Sequence, residues 1–513
     1  MDWMPQARIP FRSSDLAASA VWSMLGAALV IHGCAQTPPA VRRDPSAARA
    51  PAVVARAPVA APVAPAPAPA AEPAPAPRRP VFSERPSVPT EEPGLRVRIA
   101  ALRRADPVVR LSHPGGSLRM LGAGLPARPV ASPVDVRPTD AGWRVTEGAG
   151  TRGARTVDVS LRGPIEFAPP PGARQVTVYD GTSWPGPVRI VPTADAPAAL
   201  DLVVDVPLER YLPGVLAKEL IKSWDPEAFR AQAIAARSFA VCEQAHWKGR
   251  RHYDLVAGEA SQAWVGEVKD AKPREAVAAT RGMLLAFEGR VVPAYYSSTC
   301  GGTPANAVES LTHNPHHGIA PLAAGLDGPS AVRTCCDDAP RWRWEQSFTN
   351  AELCERLRRW ARARLDLDRP TAPGAPPPPP PSDGELALDA PLEALAGISR
   401  IESIEVTASN PAGRPNRVRL QDASGRSLEL RAEDFRRAVN FAPEGAPTPK
   451  HRLNSSHLAK ARVVVDRVEF AGRGFGHGVG MCQYGAQDMA RGGARAERIL
   501  ATYYPGAAIV RAW

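Results

Sequence analysis

The chain is 513 residues long and 44% hydrophobic, and its 63 Lys and Arg against 52 Asp and Glu leave a net charge of +11 at pH 7. The excess cations are scattered; no dense basic block, zinc-finger spacing or RNA-binding signature points to a nucleic-acid partner. A moderately basic surface also suits an anionic polymer, such as a wall whose peptides carry carboxylates.

In chain order, Arg8 and Arg12 precede an apolar run from Leu16 to Ile31 that ends at Gly33-Cys34. A basic start, a short apolar stretch and a small residue before the cut are the marks of a secretory signal, and the run is too short to span a bilayer convincingly. The end, Val30-Ile31-His32-Gly33-Cys34, resembles a bacterial lipobox, with His32 an unusual occupant. The expectation is a signal over 1–34, lipidation at Cys34, a membrane anchor and a place in the cell envelope. Residues 35–93 are mostly Ala and Pro and bury too little apolar surface to offset chain entropy, so a disordered tether is expected there.

The remaining roughly 420 residues suffice for two or three cores. Between 94 and 200, β-branched or alternating runs fall at Leu95–Ala100, Val108–Leu111, Thr156–Leu161, Gln175–Val178, Val188–Val191 and Leu200–Val206. Pro-Gly and Asp-Gly turn chemistry separates them, which predicts a β-rich accessory region. From 201 onward the pattern mixes periods. Leu212, Val215, Leu216 and Leu220 recur at helical spacing. Asp225 and Pro226 read as the cap and first position of a second helix with an Ala-rich stripe. A third helix is expected near Ala271–Thr280. Strands are expected at Tyr253–Val256, Met283–Phe287, Val291–Ser297, Glu402–Ala408, Arg417–Gln421, Ser427–Leu430 and Arg462–Phe470. A Pro-rich loop spans 370–384, and two short helices follow from about Gln483. The fold class expected is α+β.

Three groups of residues have chemistry to offer. Glu219 lies on the same helix face as Leu212, Val215 and Leu216. A carboxyl group on an apolar face loses hydration, which raises its pKa and suits a general acid; the bland alternative is an edge residue satisfied by Arg237 or a backbone donor. The second group is the run Gly472–Gly485, where glycine alternates with His477, Cys482, Gln483 and Tyr484. Its spacing fits neither a dinucleotide fingerprint nor a phosphate loop. The third is Ala294–Thr303, which carries Cys300. Cys300 with His477 would make a thiol nucleophile and base. Cys300, Cys335, Cys336 and Cys482 would also serve as zinc ligands or as disulfide partners, and the sequence leaves these readings open.

Taken together, residues 206–220, 225–240, 279–302 and 472–490 resemble the stage II sporulation protein D family, which includes amidase enhancers; the likeness runs from about 200 to 510. The resemblance implies a peptidoglycan-acting α+β domain over 201–513. In catalytic members it is a lytic transglycosylase whose single acid matches Glu219. The residues it places in the glycan cleft are Gln232, Arg237, Tyr295, Ser297, His477, Gln483 and Tyr484, with Arg237 or His477 tuning Glu219. The partners it implies are glycan strands and a cell-wall amidase. No cofactor is required for such a reaction. Some members carry a zinc-associated Cys and His after the second helix. Here that stretch, Asp254–Ala263, has neither.

Overall fold

A computed structural model describes residues 84–513 apart from 104, 174–175, 194–198, 312–313, 324–335, 368–390 and 444–448. The expected signal, Cys34, most of the tether, the 370–384 loop and Cys335 lie outside the described residues. The architecture is α+β, with several sheets and interspersed helices. Among the described residues no helix is long and apolar enough to cross a membrane.

The N-terminal half is built from two antiparallel layers that share one core. One sheet contains Gly94–Arg103, Ala199–Pro207, Val188–Pro192 and Ile165–Ala168 as neighbours; the other is centred on Val109–Ser112, Val134–Thr139 and Gly142–Glu147. Alternation is visible in Gly94–Arg103, where Leu95 and Val97 are buried and their neighbours Arg96 and Arg98 are not. Ala199–Pro207 crosses residue 200 without a linker and leads straight into α1 (Leu208–Glu219). The same apolar core continues from both sheets into α1 and the following helix.

Residues 84–93, expected to close the tether, are instead docked. Arg85 is buried and donates to the carbonyls of Phe287 and Arg290 at 3.0 and 3.3 Å, and Glu92 accepts from the Glu209 amide and from Arg281. A buried cation requires such acceptors, which anchors the segment.

Helix α2 (Pro226–Trp247) is the scaffold of the second half. Asp225 caps it by accepting from the Glu227 amide at 2.8 Å, as its sequence predicts. Ala228, Ala231, Ala233, Ala235, Ala236 and Ala240 are all buried, so α1, α3 (Ala271–Ala279) and the Gln483–Arg491 and Ala496–Tyr503 helices approach it closely. A further core lies under the Asn350–Leu367 helix and two three-stranded sheets.

Two expected strands differ from the sequence reading. Val291–Ser297 is not continuous: only Arg290–Val291 and Tyr296–Ser297 pair, on either side of Pro293. Arg462–Phe470 folds as a hairpin of Leu458–Val464 with Arg467–Arg473, turning at Val465 in the left-handed region.

Candidate functional site

Glu219 is the last residue of α1, its side chain half-buried beside the apolar face formed by Leu212, Val215 and Leu216. Two neutral donors hold it. The Ala263 amide donates to Oε1 at 3.0 Å and Gln483 Nε2 donates to Oε2 at 3.2 Å. Burial pushes the carboxyl above the usual glutamate range. The hydrogen bonds from Gln483 and Ala263 oppose that push, and Glu259 adds to it. The C-terminal end of a helix also disfavours an anion, so the position of Glu219 acts in the same direction as burial.

Around this carboxyl stand further neutral groups. The Tyr211 hydroxyl donates to Gln262 Oε1 at 3.2 Å, and Gln262 Nε2 donates to the Tyr296 hydroxyl at 2.9 Å. Burial and then the charge of Glu219 push both phenols up, so neither supplies charge near pH 7. Gln483 Nε2 also reaches Gln232 Oε1 at 3.4 Å, and Gln232 is fully buried, with its own Nε2 lacking a partner.

Tyr484, next to Gln483, meets Trp224 edge-on at 4.9 Å. With Ser223, Gln487, Asp488, Arg491 and Asp338 they line a surface hollow of about 230 Å³. The segment that carries Glu219 and one that contacts it both lead to this hollow: Ser223-Trp224 follows the end of α1, and Tyr484 follows Gln483.

The glycine-rich run closes over the Tyr296–Ser297 strand. Gly480 has φ +66°, and a Cβ there would lie 2.0 Å from the Tyr295 carbonyl oxygen. Gly478 has φ +79°, and its Cβ would strike the Arg414 guanidinium at 2.7 Å. Only glycine permits both conformation and approach. Ser297 Oγ accepts from the Gly478 amide at 3.2 Å. His477 Nδ1 accepts from the Val479 amide at 3.0 Å, and burial drops the imidazole to about 4, which keeps it neutral.

Two expected site residues point elsewhere. Arg237 is fully buried and paired with Glu209 at 2.8 Å, and its other hydrogen bonds go to Ala233, Val277, Thr280 and Met283. It is a strut binding α2 to α1 and α3, not a tuner of Glu219, because its guanidinium is committed to Glu209. Tyr295 turns its hydroxyl toward His317 Nδ1 at 3.4 Å, while its neighbour Tyr296 faces Gln262. The residues missed by sequence reasoning are thus Tyr211, Gln262, Tyr296 and the Ala263 amide. Alternation along the strand would have offered Tyr296, but a backbone donor leaves no side-chain signal.

The thiol-nucleophile arrangement is not formed. Cys300 Sγ faces Cys336 Sγ at 3.7 Å, whereas the Nδ1 of His477 is taken by a backbone amide. The hydrogen bond with Cys336 and burial hold the Cys300 thiol up at about 12, the opposite of an activated nucleophile. Among the described residues, Cys300, Cys336, Cys354 and Cys482 form no disulfide. Cys300, Cys336 and Cys482 gather with their sulfurs within 4.8 Å of one another. The Asp254–Ala263 stretch holds no such group; Asp254 is buried and binds Arg96.

An α+β scaffold that seats a desolvated glutamate at a helix end beside an aromatic-edged hollow defines a class of glutamate-centred sites. Residues 197–287 match the Stage II sporulation protein family, and the chain as a whole is similar to stage II sporulation protein D and to an amidase enhancer. It is 27% identical over 326 residues to the Stage II sporulation protein D of Bacillus subtilis, covering 60% of this chain and 76% of that protein. An uncharacterized protein of Brachyspira hyodysenteriae is 24% identical over 332 residues, 64% of this chain and 73% of its own length. The amidase enhancer of Bacillus subtilis is 24% identical over 315 residues, of which this chain spans only 39% of the relative. The family match contains Glu219, Gln232 and Gln262, while Gln483 and Tyr484 come from beyond it.

Proposed function

We propose that the chain is a peptidoglycan lytic transglycosylase in which Glu219 alone performs the acid and base steps. The observation that carries this is the carboxyl raised by burial yet met by two neutral donors. Protonated, Glu219 gives its proton to the glycosidic oxygen as the bond to the leaving sugar breaks. As carboxylate, held by Ala263 N–H and Gln483 Nε2, it takes the proton from the muramic acid 6-hydroxyl, whose oxygen closes the 1,6-anhydro ring. The attacking hydroxyl belongs to the substrate, so the second carboxylate of a two-carboxylate hydrolase is not needed. The hollow beside Trp224 and Tyr484 offers an aromatic edge and polar groups suited to a sugar ring. Export through the first 34 residues and anchoring at Cys34 would put this site at the wall.

The likeness to an amidase enhancer supports a second reading, a glycan-binding module that stimulates a cell-wall amidase. Glycan strands freed of peptides, incubated with the purified chain and no amidase, separate the two. Release of anhydro-ended fragments is expected from the first reading; binding without cleavage would leave only the second.

A further inference from the structure

We propose that Cys300, Cys336 and Cys482 form a structural site for a zinc-class divalent cation that fixes the segment carrying Gln483. The three sulfurs come from separate parts of the chain: the turn after Tyr296–Ser297, the turn opening at Cys336, and the cap position of the Gln483–Arg491 helix. All three residues are 2% exposed or less. Their sulfurs lie within 4.8 Å of one another, close enough for one ion to reach each.

The spacing suits sulfurs that share an ion. Cys300 Sγ and Cys336 Sγ are 3.7 Å apart. A disulfide needs about 2.05 Å, whereas a tetrahedral zinc with bonds of about 2.3 Å separates neighbouring thiolates by roughly 3.8 Å. Among the described residues, a single ion would engage all three sulfurs at once. Thiolates select zinc over calcium or magnesium, and the three described sulfurs supply three of its four tetrahedral positions. Loading displaces the thiol protons, so uptake is favoured as pH rises.

The surroundings are built to place this cluster. The Cys300 carbonyl accepts from the buried Arg414 at 2.8 Å, and Arg414 also donates to the carbonyl of His477 at 3.0 Å. Cys482 Sγ accepts from the Gly485 amide at 3.4 Å, capping the helix whose first residue contacts Glu219. An ion at the cluster would therefore tie that helix start to the Cys300 turn. The site stands independently of what reaction Glu219 performs.

The test is metal and thiol accounting on the full chain, produced in zinc-replete medium and purified without chelator or reductant. About one zinc per chain is expected by elemental analysis, falling to background in Cys300→Ser, Cys336→Ser and Cys482→Ser but not in Cys354→Ser or Cys242→Ser. Should the serine variants fail to fold, the wild type decides the matter alone. Stepwise thiol modification must release zinc in parallel with labelling of the Cys300, Cys336 and Cys482 peptides, and cobalt exchange must give thiolate-to-cobalt charge-transfer absorption. A disulfide-linked peptide joining any two of the three at full yield, or three free thiols with no metal, would overturn the proposal.

Discussion

Gln483 Nε2 sits between two side chains on different helices, 3.2 Å from Glu219 Oε2 and 3.4 Å from Gln232 Oε1. This amide group stabilises the carboxylate form of Glu219, against the burial that favours the acid form. Gln483→Leu is expected to raise the Glu219 pKa further. The alkaline limb of the pH–rate profile, where the acid is lost, then moves to higher pH. Measured against the wild type on glycan strands, an alkaline limb shifted the other way would contradict this role.

Glu219 also links stability to pH with a definite sign. Its folded pKa lies above the unfolded value of 4.5. The stabilisation it contributes is complete below that value and is lost as pH rises through the raised folded pKa. Glu219→Gln, which keeps the shape and removes the charge, is therefore expected to melt higher than wild type at neutral pH and to converge with it at acid pH. Thermal melts across this range provide the check.

Arg237 is expected to affect folding and not glycan affinity. Arg237→Ala takes the cation from the nearly buried Glu209 carboxylate, which keeps the Gly282 amide and Trp513 Nε1 as donors, and losing one partner of such a pair costs up to about 3–5 kcal/mol. Denaturant titration would show the loss, while an unchanged midpoint with weakened glycan binding would return Arg237 to the cleft.

At the hollow, Tyr484→Ala removes the ring that meets Trp224 edge-on. Aromatic contacts of this kind contribute about 0.5–1.5 kcal/mol, so glycan strands are expected to bind several-fold more weakly with little change in melting temperature. Binding isotherms on the variant test this.

The parts of the site carried by local pattern were legible in the sequence. Helical spacing placed Glu219 with Leu212, Val215 and Leu216, and Asp225-Pro226 marked where α2 begins. What depends on distant segments was not. The Ala263 amide reaches Glu219, and Gln262 reaches Tyr211 and Tyr296, from a loop with no regular period; Tyr295 was read in place of Tyr296 because the two are adjacent in the same motif block, one just before the Tyr296–Ser297 strand and one in it. The Leu458–Val464 hairpin was hidden because Val464, Val465 and Asp466 give no glycine or Asn-Gly turn signal, although Val465 adopts φ 54°. Arg237 misled for a different reason: a buried Arg in a family motif block is as much a structural strut as a ligand contact, and only its pairing with Glu209 tells the two apart.

The most direct measurement is mass spectrometry of peptide-free glycan strands after incubation with the wild-type chain and with Glu219→Gln in parallel. Anhydro-ended fragments from the wild type, and none from a variant that remains folded and still binds strands, are the predicted result. The same fragments from both chains would contradict the assignment of Glu219 as the acid on which the account rests.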